Sequence, residues 1–212
     1  ELDAQFRCGG SEGFINWVDN TLQVRRTANV LWEGDEAFEF GIADSVHELE
    51  SWVRDKNNGG DTARLAAGFC WPWSEPKDDG TLVDDVRVDD WSMPWNAKSN
   101  AGKLAKGIPK AEVWATDPSG IDQVGCIYTA QGFEFDYVGV IFGHDLAWDS
   151  ESNEWVANKQ ASHDTVVKRS KDQFLDLVKN TYRVLLTRGM KGCRVYFMDP
   201  STRDFVRSRM ET

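Results

Sequence analysis

Residues 121–143 (IDQVGCIYTAQGFEFDYVGVIFG) combine glycine, amide and carboxylate side chains with two apolar runs. The pattern predicts a strand at 124–128, a turn at Gln131-Gly132, and a strand at 137–142 that is buried on both faces of a parallel sheet. A glycine in such a turn lets backbone N–H groups approach an anion closely. The Glu134 carboxylate could accept hydrogen bonds from ligand hydroxyls. The alternative is a polar turn that only connects two elements.

Residues 180–197 (NTYRVLLTRGMKGCRVYF) place an arginine at the end of an apolar helix. We predict that this helix covers 170–188, that Arg188 lies in its last turn, and that Gly189 follows as its C-cap. Arg188 could serve the helix dipole and the last carbonyls. Alternatively, a rigidly held guanidinium could point at phosphate, as an arginine finger does.

Other catalytic patterns are missing from the sequence. It contains no GxxxxGK[ST] phosphate-binding loop and no GxGxxG after a strand, and its three histidines are isolated. The four cysteines have long, irregular spacings, which argues against a disulfide framework or a zinc finger. The pairs Asp84-Asp85 and Asp89-Asp90 could bind a metal in a nuclease, but no Lys or His completes such a site. We therefore predict no metal ligands in this chain.

Composition indicates a globular protein with an uneven charge. The 212 residues carry 24 basic and 35 acidic side chains, for a net charge of −11. Residues 168–212 have a net charge of +6 and the preceding residues −17. This split predicts weak, salt-sensitive nucleic-acid binding near Arg203, Arg207 and Arg209. No apolar stretch reaches the length of a membrane span, so we expect no membrane contact. The four cysteines are expected to be reduced thiols, which favours a cytoplasmic location. The absence of an initiating methionine suggests an excised domain or a processed product.

The remaining elements follow from hydrophobic periodicity and turn residues. We predict helices at 13–24 and 46–56, with Ser11 and Ser45 as N-caps, and a last helix capped by Ser201. Strands are expected at 38–43, 65–71, 86–88 and 194–198, with a hairpin at 146–148 and 155–157. Because strands alternate with helices, the fold class should be α/β with a largely parallel sheet. The tryptophans of 71–73 and 91–95 should pin an insertion onto the core.

Taken together, the two glycine- and arginine-containing segments resemble motifs V and VI of superfamily-1 helicases. The opening LDAQFRCGGSEGFINWVD resembles motif IV, with Arg7 in its arginine position. The segment GFCWPWS and the pair Trp95-Asn96 are most similar to the Schlafen group 3 helicase-like family. The resemblance implies a RecA-like, three-layer P-loop NTPase fold that is the second domain of a motor. Its parts would be motif IV-like 1–24, an insertion at about 72–110, motif V-like 121–143, a hairpin insertion at about 144–168, and motif VI-like 180–198.

The resemblance also implies roles for individual residues. Arg7 and Arg188 would contact the γ-phosphate of ATP. The nucleotide-facing turn would consist of Gln131, Gly132 and Glu134. The nucleic-acid backbone would be approached by Tyr128 and Thr129.

The implied partners are a missing N-terminal RecA-like domain of the same protein and single-stranded DNA or RNA. That N-terminal domain would bind most of the Mg²⁺ that accompanies ATP. Relatives carry a polar-basic pair where this chain has Tyr128-Thr129, so the positive charge for gripping a strand is gone. A non-catalytic interaction module on the same fold is the alternative.

Overall fold

The computed structural model describes residues 11–211, and its centre is a five-stranded parallel sheet. The strands lie in the order β1-β9-β6-β2-β5, and their bounds are Glu39–Ile42 (β1), Ala63–Ala67 (β2), Val124–Gly125 (β5), Phe135–Phe142 (β6) and Gly189–Phe197 (β9). β6 is central, as its apolar run predicts, because it pairs with β2 on one side and β9 on the other. The expected α/β class with a largely parallel sheet is confirmed.

Helices cover both faces of this sheet. On one face lies α2, Val46–Asn58; on the other lie α1, Glu12–Thr21, α5, Phe174–Leu186, and α6, Pro200–Arg207. The layers are those expected of a RecA-like domain. Within the described residues, no helix is long and apolar enough to cross a membrane.

Local sequence signals predict where the first two helices begin. The side chains of Ser11 and Ser45 accept hydrogen bonds from the backbone N–H groups of Phe14 and Glu48, so both predicted N-caps are confirmed. The last helix differs from the prediction, because Asp199 is its N-cap and Ser201 lies inside it. The Asp199 carboxylate accepts from both the backbone N–H and the hydroxyl of Thr202.

The start of the motif VI-like helix is broken into short pieces. A single helical turn, α4, Thr165–Lys168, is followed by a 3₁₀ turn, Lys171–Gln173, and only then by α5. Lys171 has a positive φ of 49°, which an α-helix cannot accommodate. The predicted helix over 170–188 is therefore shorter than expected at both ends.

Two antiparallel strand pairs lie outside the five-stranded sheet. The insertion at about 72–110 contains β3, Val86–Val88, paired with β4, Trp91–Met93. The predicted hairpin forms from β7, Leu146–Asp149, and β8, Glu154–Ala157. Tryptophan side chains hold the insertion in place: Trp95 is 1% exposed and donates to the carbonyl of Pro72, and Trp73 donates to that of Asn96. The packing role predicted for these aromatics is confirmed.

Candidate nucleotide and nucleic-acid site

The two segments singled out in the sequence meet at the amino-terminal edge of β6 and β9. Phe135 lies opposite Gly189 in the parallel register, and the Phe135 N–H donates to the carbonyl of Arg188 at 3.2 Å. The turn that precedes β6 is therefore next to the helix end that precedes β9. Because this register is set by strand pairing, it fixes the turn and the arginine relative to each other.

Arg188 is turned towards this turn. Its side chain donates from Nη1 to the carbonyls of Gln131 (3.0 Å) and Phe133 (3.5 Å), and from Nε to the carbonyl of Val184 (3.3 Å). Arg188 is only 6% exposed. Arg188 is therefore less accessible than a residue at the rim of an open cleft would be. Its hydrogen bonds to these carbonyls join the end of α5 to the turn.

Gly189 does not cap α5, contrary to the prediction. The helix ends at Leu186 with Thr187 as its C-cap, and Gly189 is the first residue of β9. A Cβ at Gly189 would lie 2.0 Å from the carbonyl oxygen of Gly192, so no side chain fits. Glycine is required here by the close approach of two backbone segments.

The Gln131-Gly132 turn is exposed, but its own hydrogen bonds occupy its N–H groups. The N–H of Gln131 donates to Ile127, that of Gly132 to Thr129, and that of Phe133 to Ala130. Space is open around Gly132, whose nearest neighbour would lie 3.8 Å from an added Cβ. The exposed parts of the turn are therefore the Gln131 and Glu134 side chains.

The strand predicted at 124–128 is only Val124–Gly125, and a helical turn, α3, Ile127–Ala130, replaces the rest. A Cβ on Gly125 would lie 2.3 Å from the Trp114 ring, which packs against the strand at this point. Cys126 then begins the helical turn by accepting from the N–H groups of Thr129 and Ala130. This turn presents Tyr128 to solvent.

Tyr128 and Thr129 line an open groove of about 440 Å³ between α3 and the insertion. The other wall carries Lys98, Ser99, Asn100 and Glu112. Tyr128 is 46% exposed, and its hydroxyl donates to the Asp164 carboxylate at 2.8 Å. Partial burial and Asp164 raise the pKa of Tyr128, so the phenol stays neutral. The ring is thereby held in one orientation at the mouth of the groove.

An ion cluster fixes the same edge of the sheet as Arg188. The Lys191 ammonium lies 2.6 Å from an Asp61 oxygen and 3.0 Å from an Asp136 oxygen. Burial raises the pKa of Asp136, but hydrogen bonds from Thr62 and Lys191 lower it more, and the net shift is downward. The cluster joins the segment that precedes β2 to the first residues of β6 and β9.

Sequence reasoning missed a buried polar cluster at the opposite edge. The Tyr182 hydroxyl donates to the buried Asp145 carboxylate and accepts from the Gly143 N–H at 2.9 Å. Burial raises the pKa of Asp145 more than hydrogen bonds from Tyr182 and Cys70 lower it. The one sequence signal was a tyrosine in a stripe where phenylalanine would pack as well.

The remaining predicted residues are Arg7 and the arginines of the basic C-terminal region. Arg7 lies outside the described residues. In the basic C-terminal region, Arg203 pairs with Asp204 and Arg207 with Asp44, while the Arg209 guanidinium covers the Phe205 ring. The charges of Arg203 and Arg207 are therefore partly neutralised by neighbouring carboxylates.

The acidic pairs proposed for a nuclease serve the fold instead. Asp85 accepts from the backbone and hydroxyl of Ser74, and Asp90 pairs with His47. Across residues 11–211 no group of three or more His, Cys, Asp or Glu side chains could hold a metal ion.

The parallel sheet with helices on both faces, and the contact of Arg188 with the Gln131 turn at its amino-terminal edge, define an α/β domain. Comparison of the sequence with known families matches residues 1–199 to the Schlafen group 3, DNA/RNA helicase domain. The chain belongs to that family, which confirms the resemblance seen in its motifs.

Two individual proteins illustrate what the chain is similar to. An uncharacterized protein of Saccharomyces cerevisiae, YPL245W, is 24% identical over 96% of this chain. The chain spans 46% of the length of that relative. A solved structure described as the C-terminal domain of a possible DNA helicase from Lactobacillus plantarum WCFS1 is similar over 92% of this chain and 94% of its own, with 11% identity and a TM-score of 0.34.

Proposed function

We propose that this domain is the C-terminal half of an ATP-dependent DNA or RNA helicase or translocase. ATP with Mg²⁺ would bind between it and an N-terminal RecA-like domain that holds most of the metal's ligands. Arg188 and Arg7 would contact the γ-phosphate, and Gln131, Gly132 and Glu134 would face the nucleotide. The observation that carries the proposal is the junction of the Arg188 guanidinium with the Gln131 carbonyl at the start of β6 and β9.

The chemistry assigned to Arg188 is charge stabilisation. Negative charge on the γ-phosphate is spread over its oxygens in the transition state, and a planar guanidinium can engage two of them at once. In this domain, Arg188 would exchange its carbonyl partners for phosphate oxygens when the two domains close. Because the charged contact is stronger than a bond to a neutral carbonyl, the exchange would favour the closed state.

Strand contact would fall to the groove beside α3. The exposed ring of Tyr128 can stack on a base, and the Thr129 hydroxyl can bond a phosphate oxygen. Opening and closing of the cleft during hydrolysis would then move a single strand relative to this groove.

One observation favours the alternative of a non-catalytic interaction module. Arg188 is engaged by carbonyls, and the N–H groups of the turn are engaged within the turn. A domain that no longer binds ATP would keep such bonds, because they hold α5, the turn and β9 together.

The test is Arg188→Lys in the intact protein, with Arg203→Lys, a partly exposed arginine of α6, as the control. Lysine keeps the charge but loses the planar fork, so single-turnover ATP hydrolysis should fall by about 10³–10⁵. Nucleotide affinity should fall much less, because the contact matters most in the transition state. Loss of the carbonyl bonds should also lower stability by about 1–3 kcal/mol, which thermal melting measures separately.

The outcomes separate the two candidates. Near-normal hydrolysis by the Arg188 variant would remove Arg188 from the ATP site. Loss of stability in a protein that hydrolyses no ATP, with or without a strand, would support the interaction module.

A further inference from the structure

The groove beside Tyr128 needs a source of positive charge if it is to hold a nucleic-acid backbone. Affinity for a strand comes largely from cations that neutralise phosphates. On the α3 side the lining residues are Tyr128, Thr129, Gly132 and Phe133, and none of them is charged.

The loop that contributes Lys98 to the opposite wall carries that charge. Of its lysines, Lys98 and Lys110 line the grooves, and Lys103 and Lys106 lie outside their lining. Residues 98–110 (KSNAGKLAKGIPK) contain four lysines and no acidic side chain, in a chain whose net charge is −11. The groove lined by Tyr128 continues into a second one that runs along this loop, and the two share Lys98, Ser99 and Glu112. We call residues 98–110 the lysine loop.

Most of the charge on the lysine loop is accessible. Lys98 is 2.6 Å from Glu75 and is neutralised by it. Lys103, Lys106 and Lys110 are exposed, and none of them forms an ion pair with the residues described by the structure. Glu112, at the point where the two grooves meet, is the carboxylate that a strand would have to pass.

The lysine loop is held against the rest of the insertion. The Ala105 N–H donates to the carbonyl of Gly80 at 2.9 Å. Gly80 has a positive φ of 85°, and a Cβ there would lie 2.7 Å from the Ala105 nitrogen, so only glycine permits this contact. A loop fixed in this way loses less conformational entropy when it binds a ligand than a free one would.

We propose that Lys103, Lys106 and Lys110 bind the phosphodiester backbone of a single strand that runs from the lysine loop past Tyr128 and Thr129. The exposed Tyr128 ring favours a strand over an acidic protein, since an unpaired base can stack on it. The identity of the strand rests on the proposed function, and the position of the charge rests on the geometry of the insertion.

The experiment measures binding of a fluorescent oligothymidylate of about 20 nucleotides to the intact protein without nucleotide. One variant carries Lys103→Gln, Lys106→Gln and Lys110→Gln. The matched control carries Arg203→Gln, Arg207→Gln and Arg209→Gln, which removes the same charge from the basic C-terminal region. Because the lysine variant can no longer neutralise three phosphates, its affinity at about 50 mM salt should fall at least about tenfold. The negative slope of log K against log salt should become less steep by about 2. The arginine control should lose clearly less affinity, because Arg203 and Arg207 are already paired with Asp204 and Asp44.

Three results would overturn the inference: equal losses of affinity in the two variants, a larger loss in the arginine control, or no binding by the wild type. Displacement of the oligonucleotide by polyglutamate of equal length and at equal concentration would also overturn it, because it would assign the loop to acidic proteins. ATP hydrolysis is measured in parallel. Binding through the lysine loop in a protein that hydrolyses no ATP would leave this inference intact and contradict the motor function.

Discussion

The Tyr182 side chain shows how one hydroxyl can organise an edge of the sheet. The ring stacks on Phe142 at 3.7 Å between centroids, as the apolar stripe of α5 predicts. Its hydroxyl satisfies two buried groups, the Asp145 carboxylate and the Gly143 N–H. Gly68 makes room for it, because a Cβ there would lie 1.9 Å from the hydroxyl oxygen. The segments that follow β2 and β6 are thereby tied to α5.

Tyr182→Phe should lower the free energy of unfolding by about 1–3 kcal/mol, because it leaves buried polar groups without a partner while the ring still packs. Urea denaturation measures the change. Tyr196→Phe is the control, since the Tyr196 hydroxyl makes no hydrogen bond with any residue that the structure describes. A Tyr182 variant as stable as this control would show that Asp145 and Gly143 find other partners.

The sequence predicted which residues would gather at the site better than it predicted their contacts. Arg188 and Gln131 were singled out separately, and the structure brings them within hydrogen-bond distance across 57 positions of the chain. The inward direction of the guanidinium depends on that long-range contact, which no local pattern encodes. The bond from Tyr128 to Asp164 is of the same kind, since it joins α3 to the N-cap of α4.

At the scale of elements, local sequence patterns predict the starts of the first two helices, whereas long-range contacts decide the short strands and helical turns. The starts of α1 and α2 follow from apolar periodicity and serine caps, which are local signals, whereas α1 ends at Thr21 and not at residue 24 as predicted. The five residues at 124–128 are apolar enough for a strand, but Trp114 and the Cys126 carbonyl turn them into a strand end and a helical turn. Tertiary contacts decide such short runs, so their type could not be predicted from the sequence.

The N-terminus of α6 provides a test at this scale. Asp199→Ala should cost about 0.5–2 kcal/mol, because it removes the side-chain acceptor for the first turn of the helix. Ser201→Ala should cost less, since its hydroxyl lies within the helix and bonds only the carbonyl of Trp148. Thermal melting of the two variants decides between the caps. A larger loss of stability in the serine variant would restore the cap predicted from the sequence.

At the scale of the molecule, the two edges of the parallel sheet hold different groups. The amino-terminal edge gathers Arg188, the Gln131-Gly132 turn and the Lys191 ion cluster. Tyr182 and Asp145 lie beyond the carboxyl end of β6. The insertion adds the lysine loop, which begins beside α3 at Lys98. A domain built this way offers arginine and hydroxyl groups to phosphates, but its sequence has no loop that could cradle a triphosphate.

We therefore expect the purified 212-residue chain to show no measurable ATP turnover, with or without an oligonucleotide. The physical reason is that phosphoryl transfer needs the β- and γ-phosphates and Mg²⁺ to be held in place before an arginine can stabilise the transition state. Release of phosphate over hours is the measurement, and the Arg188→Lys chain is the control for contaminating ATPases. Turnover that the wild-type chain shows and the Arg188→Lys chain lacks would mean that this domain holds the triphosphate by itself, and it would contradict the assignment of ATP to a cleft shared with a second domain.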